Sequence, residues 1–243
     1  MTIIRKSTQA IKIFGQIAAS KVRYWKYLKE YGDAAPKPYE IEYVDPAEIR
    51  YCTLPSLMTQ YSLSEYGSHI VGGDWDRYPL YTDIWYTRDF DEPLRAKFEN
   101  HALYRAMEAH FCDGVPWVDT DWFQWIQDHP GTVGQYPTQN VMQHRLEQVD
   151  ALFNQIREGG YKTQRQLYNS EKNEIPLYKR PFPFPEHHEI DVNIGRDGDL
   201  LFNFNGRHRL AVAKLLDLNR IPVRIFGRHK IWQDQSETRN EPL

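Results

Sequence analysis

The sequence has few cysteines and no long apolar run. Only Cys52 and Cys112 occur among 243 residues, and no C-x-x-C pair is present. We therefore do not expect a disulfide framework or a cysteine zinc site. The two cysteines could pair with each other, but free thiols are expected. No apolar stretch approaches the roughly 20 residues of a membrane-spanning helix. The N-terminus also lacks the apolar core of a signal peptide. We expect a cytoplasmic protein.

A strong excess of charge is also missing. The chain holds 30 basic and 33 acidic side chains, for a net charge of −3. This balance gives no global electrostatic reason to bind nucleic acid, so we do not expect nucleic acid as a partner. Walker-type glycine boxes and Gly-x-Ser-x-Gly elements are absent as well. The apolar fraction of 41% is nevertheless enough for a sizeable core.

Residues 189–226 show the clearest pattern in the chain. Polar and apolar residues alternate from Asp191 to Gly195, which predicts a half-buried strand. The Asp197-Gly198 pair is a strong hairpin signal. The predicted elements are a strand at 191–195, a turn at 197–198, a strand at 200–204, a helix after Gly206 and a strand at 221–226.

The junction at Asn205 and Gly206 is the first candidate site. Gly206 allows a tight turn and a close approach of a ligand to the backbone. The helix start leaves N–H groups that favour an anion, and Arg207, His208 and Arg209 add donors suited to phosphate oxygens. Phosphate binding and an ordinary solvated basic first turn are both compatible with these residues.

In this context the Gly206–Arg209 box resembles the C-terminal half of the ParB/sulfiredoxin fold. Sulfiredoxins have Gly-Cys-His-Arg here, and this chain matches the first, third and fourth positions. The resemblance implies an α/β (α+β) domain in which Asn205 and the box hold the phosphates of a nucleoside triphosphate, ATP or CTP, with Mg²⁺. The close match covers about forty residues.

Two departures from that family limit what the resemblance implies. Arg207 stands where sulfiredoxins have their catalytic cysteine, so sulfinic acid reduction is not expected. Only 17 residues follow Phe226, which is too few for the helix-turn-helix domain of chromosome-segregating ParB proteins. Other members of the fold are kinases of small metabolites, and this precedent directs our functional hypothesis.

The loop Gly72-Gly73-Asp74-Trp75-Asp76 is the second candidate site. Two glycines permit an unusual turn that faces a ligand. Asp74 and Asp76 are suitable Mg²⁺ ligands, and either carboxylate is a candidate general base. Trp75 is a candidate platform for a nucleobase. The alternative is a structural turn with capping carboxylates and a tryptophan in the core.

The domain organisation is an expectation from composition, from the hydrophobic pattern and, for residues 39–230, from the family resemblance. Residues 1–38 form a basic amphipathic helix and linker, residues 39–230 the ParB/sulfiredoxin-like domain, and residues 231–243 a tail. Residues 80–137 are interpreted as a helical, Trp-rich insertion. The N-terminal segment can lie on an anionic membrane, dock a partner, or pack on its own domain with the lysines in water.

Periodicity predicts the remaining elements. Gly159-Gly160 ends the clearest helix, and the family resemblance implies a strand after it. The Trp-rich segment is a candidate ligand platform, although such clusters are more often core. The predictions are helices at 3–30, 94–111, 120–126 and 138–158, a strand at 41–43 and a strand at 162–167.

We therefore expect a phosphotransferase of the kinase type. Phosphates would lie on Gly206–Arg209, Asp74 and Asp76 would supply the base or Mg²⁺ ligands from a facing loop, and the acceptor would be a small hydroxylated molecule. The alternatives are a nucleotide-sensing module without net chemistry, a nucleic-acid-associated protein or nuclease, and a membrane-surface accessory protein.

Overall fold

A computed structural model describes residues 2–77, 96–129, 138–170 and 184–236, with side chains of the first segment from residue 13. These residues form an α/β structure with a mixed sheet. The helices are α1 Thr2–Tyr31, α2 Leu57–Gln60, α3 Ala102–Phe111, α4 Asp121–Asp128, α5 Gln139–Gly159, α6 Gln164–Asn169, α7 Arg207–Leu215 and α8 Lys230–Ser236. The strands are β1 Ile41–Val44, β2 Tyr51–Cys52, β3 His69–Val71, β4 Ala96–Lys97, β5 Ile190–Ile194, β6 Leu200–Phe202 and β7 Ile221–His229.

The sheet is built around β7. Its strand order is β1-β7-β5-β6-β2-β4, and β3 also pairs with β7. The strand β1 runs antiparallel to the first half of β7, while β3 runs parallel to its last residues. On the other side, β5 pairs in parallel with β7 and in antiparallel with β6. The predicted hairpin is thereby confirmed, and β7 extends three residues beyond the predicted 221–226.

One face of the sheet carries the main hydrophobic core. Alternate residues of β5 and β7 point toward it, and the helices α3, α4, α5 and α7 cover it. Trp117 and Trp122 are buried in this core. The Trp-rich segment is therefore core packing and not a ligand platform. The main strand residues of this core are Ile190, Val192, Ile194, Val223 and Ile225.

The opposite face of the sheet is also buried but contains polar side chains. Asp191, Asn193 and Arg224 are each at most 2% exposed. The prediction of a half-buried β5 is wrong in this respect, since both of its faces are covered. Burial of these groups is tolerated because they bond each other or neighbours: Asn193 Nδ2, for example, donates to Thr53 Oγ1 at 3.0 Å.

Three other predicted elements differ from the structure. The helix predicted at 94–111 begins only at Ala102, because Ala96–Lys97 pairs with β2 at the sheet edge. Residues 162–167 are not a strand, since Thr163 and Gln166 form a capping box that begins α6. The predicted tail contains α8. The parts of the predicted insertion at 80–95 and 130–137 lie outside the described residues.

The N-terminal helix packs on the domain through one face. Arg23 Nη2 donates to the carbonyl of Tyr66 at 2.5 Å, and Arg23 Nε donates to that of Ser68 at 3.1 Å. The hydroxyl of Tyr27 accepts from the backbone N–H of Ile70 at 3.1 Å. The helix predicted at 3–30 is thus confirmed, and it is held by side chains as well as by apolar contact. Among the described residues, no helix is both long and apolar enough to cross a membrane.

Candidate phosphate site at the start of the seventh helix

Gly206 forms the turn from β6 into α7. Its φ is +87°, in the left-handed region, and a Cβ at this position would lie 2.7 Å from a side-chain carbon of Ile190. Both conditions require glycine. No side chain caps the helix, because Gly206 itself is the N-cap residue. The first turn of α7 therefore depends on other groups to satisfy its N–H donors and partial positive charge.

Arg207 and His208 lie in this first turn. Both residues are partly buried, and Arg207 Nε is buried without a hydrogen-bond partner among the described residues. The two residues lie close to His101, whose pKa is well below its ordinary value because of burial and, second, their positive charges. Their position places a cationic guanidinium and an imidazole at an uncapped helix start.

Arg209 has a different role from the one predicted. Its Nη1 donates to Glu189 Oε2 at 3.1 Å, and its Nη2 donates to the carbonyl of His188. The side chain of Glu189 is 1% exposed. Burial raises the pKa of Glu189, and Arg209 opposes this rise. Arg209 therefore neutralises a buried carboxylate, and phosphate binding would require this ion pair to break.

A chain of polar side chains begins beside the turn and continues across the sheet. Asn205 Nδ2 donates to Asp191 Oδ2 at 3.2 Å. Arg224 Nε donates to Asp191 Oδ1 at 2.7 Å, and Arg224 Nη1 donates to His187 Nδ1 at 2.9 Å. Because Nδ1 of His187 accepts, the ring proton of the neutral form lies on Nε2, 3.6 Å from a carboxylate oxygen of Glu65.

The same chain lines a small cavity of about 90 Å³. Phe204 lies at its edge and is 52% exposed, next to Asn205 and the Gly206 turn. An exposed aromatic ring beside a phosphate-type site is suited to stack on a planar ligand group. Phe204 was not predicted as a site residue. The position of an aromatic residue immediately before Asn205-Gly206 was the available signal.

The carboxylates of the second candidate loop lie at the opposite end of β5. The backbone N–H of Arg196 donates to Asp76 Oδ2 at 2.8 Å, just after β5 ends. The Gly206 turn contacts Ile190, where β5 begins. The intervening strand spans about 13 Å at about 3.3 Å per residue. The prediction that Asp74 and Asp76 face the phosphate box is therefore wrong.

The two carboxylates are engaged by one arginine. Arg196 Nη2 lies 2.7 Å from both Asp74 Oδ1 and Asp76 Oδ1. Asp76 is 3% exposed, and its pKa is lowered because the hydrogen bonds from Arg196 outweigh the effect of burial. A Mg²⁺ ion on this pair would have to displace Arg196. Among the described residues, no group of three His, Cys, Asp or Glu side chains is placed to hold a metal.

Trp75 is part of the core on this side of the sheet. It is 4% exposed, and its indole N–H donates to the carbonyl of Val71 at 3.2 Å. Its ring also packs against His229 at a centroid distance of 5.6 Å. The predicted stacking of Trp75 on a nucleobase is wrong because the ring is not accessible. The structural alternative for this loop, a turn with a core tryptophan, agrees with these contacts.

A larger cavity of about 670 Å³ lies elsewhere, toward the C-terminal end of α7. Its charged groups have both signs and are partly paired with each other, as in the 2.6 Å contact of Lys214 with Glu99. Asp45 accepts from the backbone N–H of Ala47 at 2.7 Å. The cavity does not include the Gly206 turn. We assign the candidate site to the turn because the exposed ring of Phe204 lies just before it and the cationic Arg207 just after it.

The comparisons with known proteins add no assignment. No family model, curated protein or solved structure matches this chain. The resemblance to the ParB/sulfiredoxin fold therefore rests on residues 189–226 and stays a prediction. The α/β class with a mixed sheet is observed.

Proposed function

We propose that this chain is a nucleotide-binding module, with the ligand phosphates at the first turn of α7 and the nucleobase on Phe204. The observation that carries the proposal is the uncapped start of α7 behind the left-handed Gly206. Backbone N–H groups, the cationic Arg207 and the imidazole of His208 meet there without a side-chain cap, which is a favourable arrangement for a phosphate.

The residues proposed to contact the ligand lie on two surfaces. One is the first turn of α7, and the other is the edge of the small cavity. Arg207 Nε is buried without a hydrogen-bond partner among the described residues, so a phosphate oxygen would satisfy a donor that the protein leaves open. Asn205 and Phe204 lie at the edge of the neighbouring cavity. A nucleotide would reach both surfaces, whereas inorganic phosphate would use only the first.

The geometry favours binding over phosphoryl transfer. The carboxylates nearest this end of β5 already have partners: Asp191 is ion-paired with Arg224, Glu189 is ion-paired with Arg209, and Glu65 lies 3.6 Å from the ring of His187. The predicted catalytic pair of Asp74 and Asp76 lies at the other end of the strand. A general base needs hydrogen-bond reach of the acceptor hydroxyl, and this pair would lack that reach.

A thermal-shift panel with ATP, ADP, CTP, GTP and UTP, each with and without Mg²⁺, tests the proposal. A ligand at about 100 times its Kd stabilises a protein by about 2.7 kcal/mol, which raises Tm by roughly 5–10 °C at this size. We expect Arg207→Gln and Phe204→Ala to reduce the shift. Arg157→Gln and Tyr168→Ala, at exposed positions on other helices, should keep it.

The result also separates the alternatives. Transfer of the γ-phosphoryl group to an acceptor, lost in Asp76→Asn, would support a kinase instead. Absence of a shift with every nucleotide would overturn the proposal. Steeply salt-dependent binding of DNA in that case would favour the nucleic-acid alternative.

A further inference from the structure

The outward face of α1 carries an exposed apolar stripe. Phe14, Val22 and Trp25 are 56%, 57% and 63% exposed, and Ala18 between them is exposed as well. The spacing of these four residues places them on one side of the helix. Trp25 has the largest exposed fraction among the exposed large hydrophobic side chains of the described residues. An apolar stripe in water carries a free-energy cost that a partner surface would remove.

The stripe is not the face through which α1 packs on its own domain. Ile17, Ser20 and Tyr31 are buried on the opposite side of the helix. Arg23, also on that side, donates to two backbone carbonyls of the segment before β3. The helix therefore contacts the domain through one face, while Phe14 and Trp25 are exposed on the other.

Lysines accompany the apolar stripe. Lys21, Lys26 and Lys29 are exposed on the same side of α1. In sequence, residues 1–31 hold seven basic side chains and one acidic side chain, Glu30. A chain of net charge −3 thus divides into a helix at +6 and a remainder at −9. With Lys21, Lys26 and Lys29 on this face, the complementary partner is a negatively charged surface.

This charge distribution decides between occupants. A second copy of α1 would bring lysines against lysines, which is unfavourable at short range. An anionic lipid surface matches both components. Phe and Trp rings lie at the boundary of headgroups and acyl chains, and lysine side chains extend to the headgroup phosphates. We propose that α1 docks the protein on an anionic membrane surface, with Phe14, Val22 and Trp25 inserted and Lys21, Lys26 and Lys29 at the phosphates.

Vesicle co-sedimentation of the full chain tests this proposal. Phosphatidylcholine vesicles with and without phosphatidylserine are compared at low and high salt. We expect binding to the serine-containing vesicles, weakened by salt because exposed charges are screened. Replacement of Lys21, Lys26 and Lys29 by Gln should lower the partition coefficient by about 100-fold, since each basic residue near such a surface contributes about fivefold.

Matched variants identify the face that binds. Phe14→Ser with Trp25→Ser should abolish sedimentation with vesicles, whereas Val118→Ser with Ile231→Ser, at exposed positions elsewhere, should not. The charge control replaces Arg145, Arg157 and Lys162, all exposed, by Gln. Circular dichroism and Tm of each variant show that the fold is retained. Quenching of Trp25 by brominated lipid, absent in Trp25→Phe, reports insertion directly.

Three outcomes would overturn the proposal. One is the absence of binding to phosphatidylserine vesicles at low salt. Another is equal binding to neutral vesicles, which would remove the role of the lysines. The third is a dimer in sedimentation equilibrium that Phe14→Ser with Trp25→Ser dissociates, together with no vesicle binding, since the stripe would then belong to a protein–protein interface.

Discussion

Asp191 on β5 and Arg224 on β7 face each other in register and form an ion pair that is buried from water. Arg224 Nε and Nη2 donate to the two carboxylate oxygens at 2.7 and 2.9 Å. The two side chains are 3% and 1% exposed. Burial raises the pKa of Asp191, and Arg224 opposes this rise. The pair joins β5, whose first residue packs against the Gly206 turn, to the neighbouring strand β7.

We expect either single removal in this pair to destabilise the protein strongly. Asp191→Leu leaves the buried guanidinium of Arg224 without a counter-charge. Arg224→Met leaves the buried carboxylate of Asp191 without one. Breaking a buried ion pair in this way costs about 3–5 kcal/mol of unfolding free energy. The double variant should be more stable than either single variant because no buried charge is left. Urea unfolding measures all three. A matched control is Arg165→Met, whose partly exposed pair with Glu186 should contribute at most about 1 kcal/mol.

We expect Gly206→Ala to lower the free energy of unfolding by at least about 2 kcal/mol. A left-handed residue with a Cβ costs about 1–2 kcal/mol, and contact with Ile190 adds to this cost. Gly15→Ala is the matched control, because Gly15 lies within α1 and nothing is within 4 Å of its added Cβ. This control should be neutral or stabilising by up to about 1 kcal/mol. Equal Tm values for the two variants would contradict the assignment of the turn.

We expect loss of the Asp76–Arg196 contact to lower the free energy of unfolding without changing nucleotide binding. Asp76→Asn removes a buried carboxylate that Arg196 contacts by side chain and backbone, and we expect a loss of about 3 kcal/mol. Asp74→Asn should cost little, because that side chain is 69% exposed. The nucleotide Kd, measured by calorimetry below each Tm, should be unchanged in both variants. A large rise in Kd for either variant would return these carboxylates to the ligand site.

We expect the buried His69 to cause part of the pH dependence of the unfolding free energy. It is 3% exposed, its Nε2–H donates to the carbonyl of Ser64, and burial lowers its pKa from 6.5 to about 3. Below pH 6.5 the unfolded chain binds a proton that the native protein excludes, so stability is lost as pH falls from about 6.5 toward 3. At about 1.4 kcal/mol per pH unit, the loss from His69 at pH 5 is about 2 kcal/mol.

The variant His69→Gln isolates this contribution, since its amide can still donate to the carbonyl. We expect the loss of unfolding free energy between pH 7 and 5 to shrink by about 2 kcal/mol. His144→Gln is the control, because the side chain of His144 is 71% exposed. Identical pH slopes for wild type and His69→Gln would contradict the prediction.

The sequence predicts local features of this protein better than distant pairings. The hairpin around Gly198 and the helix after Gly206 were predictable because the turn residues and the hydrophobic pattern agree over adjacent positions. The same holds for α1 and α5. The buried Trp117 and Trp122 also follow from composition, since aromatic clusters contribute large buried area.

The predicted site, with phosphates on Gly206–Arg209 and carboxylates from Asp74 and Asp76 facing them, could not be tested from the sequence alone. Asp74 and Asp76 have suitable chemistry, but their position is fixed by Arg196, which is 120 residues away. Likewise Arg209 looks like a phosphate ligand until Glu189 is found beside it. One signal was available: Arg224 interrupts the apolar run Ile221–Phe226, and a charge within a buried strand requires a buried partner.

The pairing of β7 with three other strands has a consequence for the order in which the protein folds. Among the described residues, β1 and β3 pair in the sheet with β7 alone, although about 150 or more residues separate them along the chain. During synthesis from the N- to the C-terminus, β1 and β3 stay unpaired until residues 221–229 leave the ribosome. Such late pairing slows folding and favours aggregation or chaperone binding before completion. The basic helix α1 is made before these strands, so it can contact an anionic surface throughout that interval.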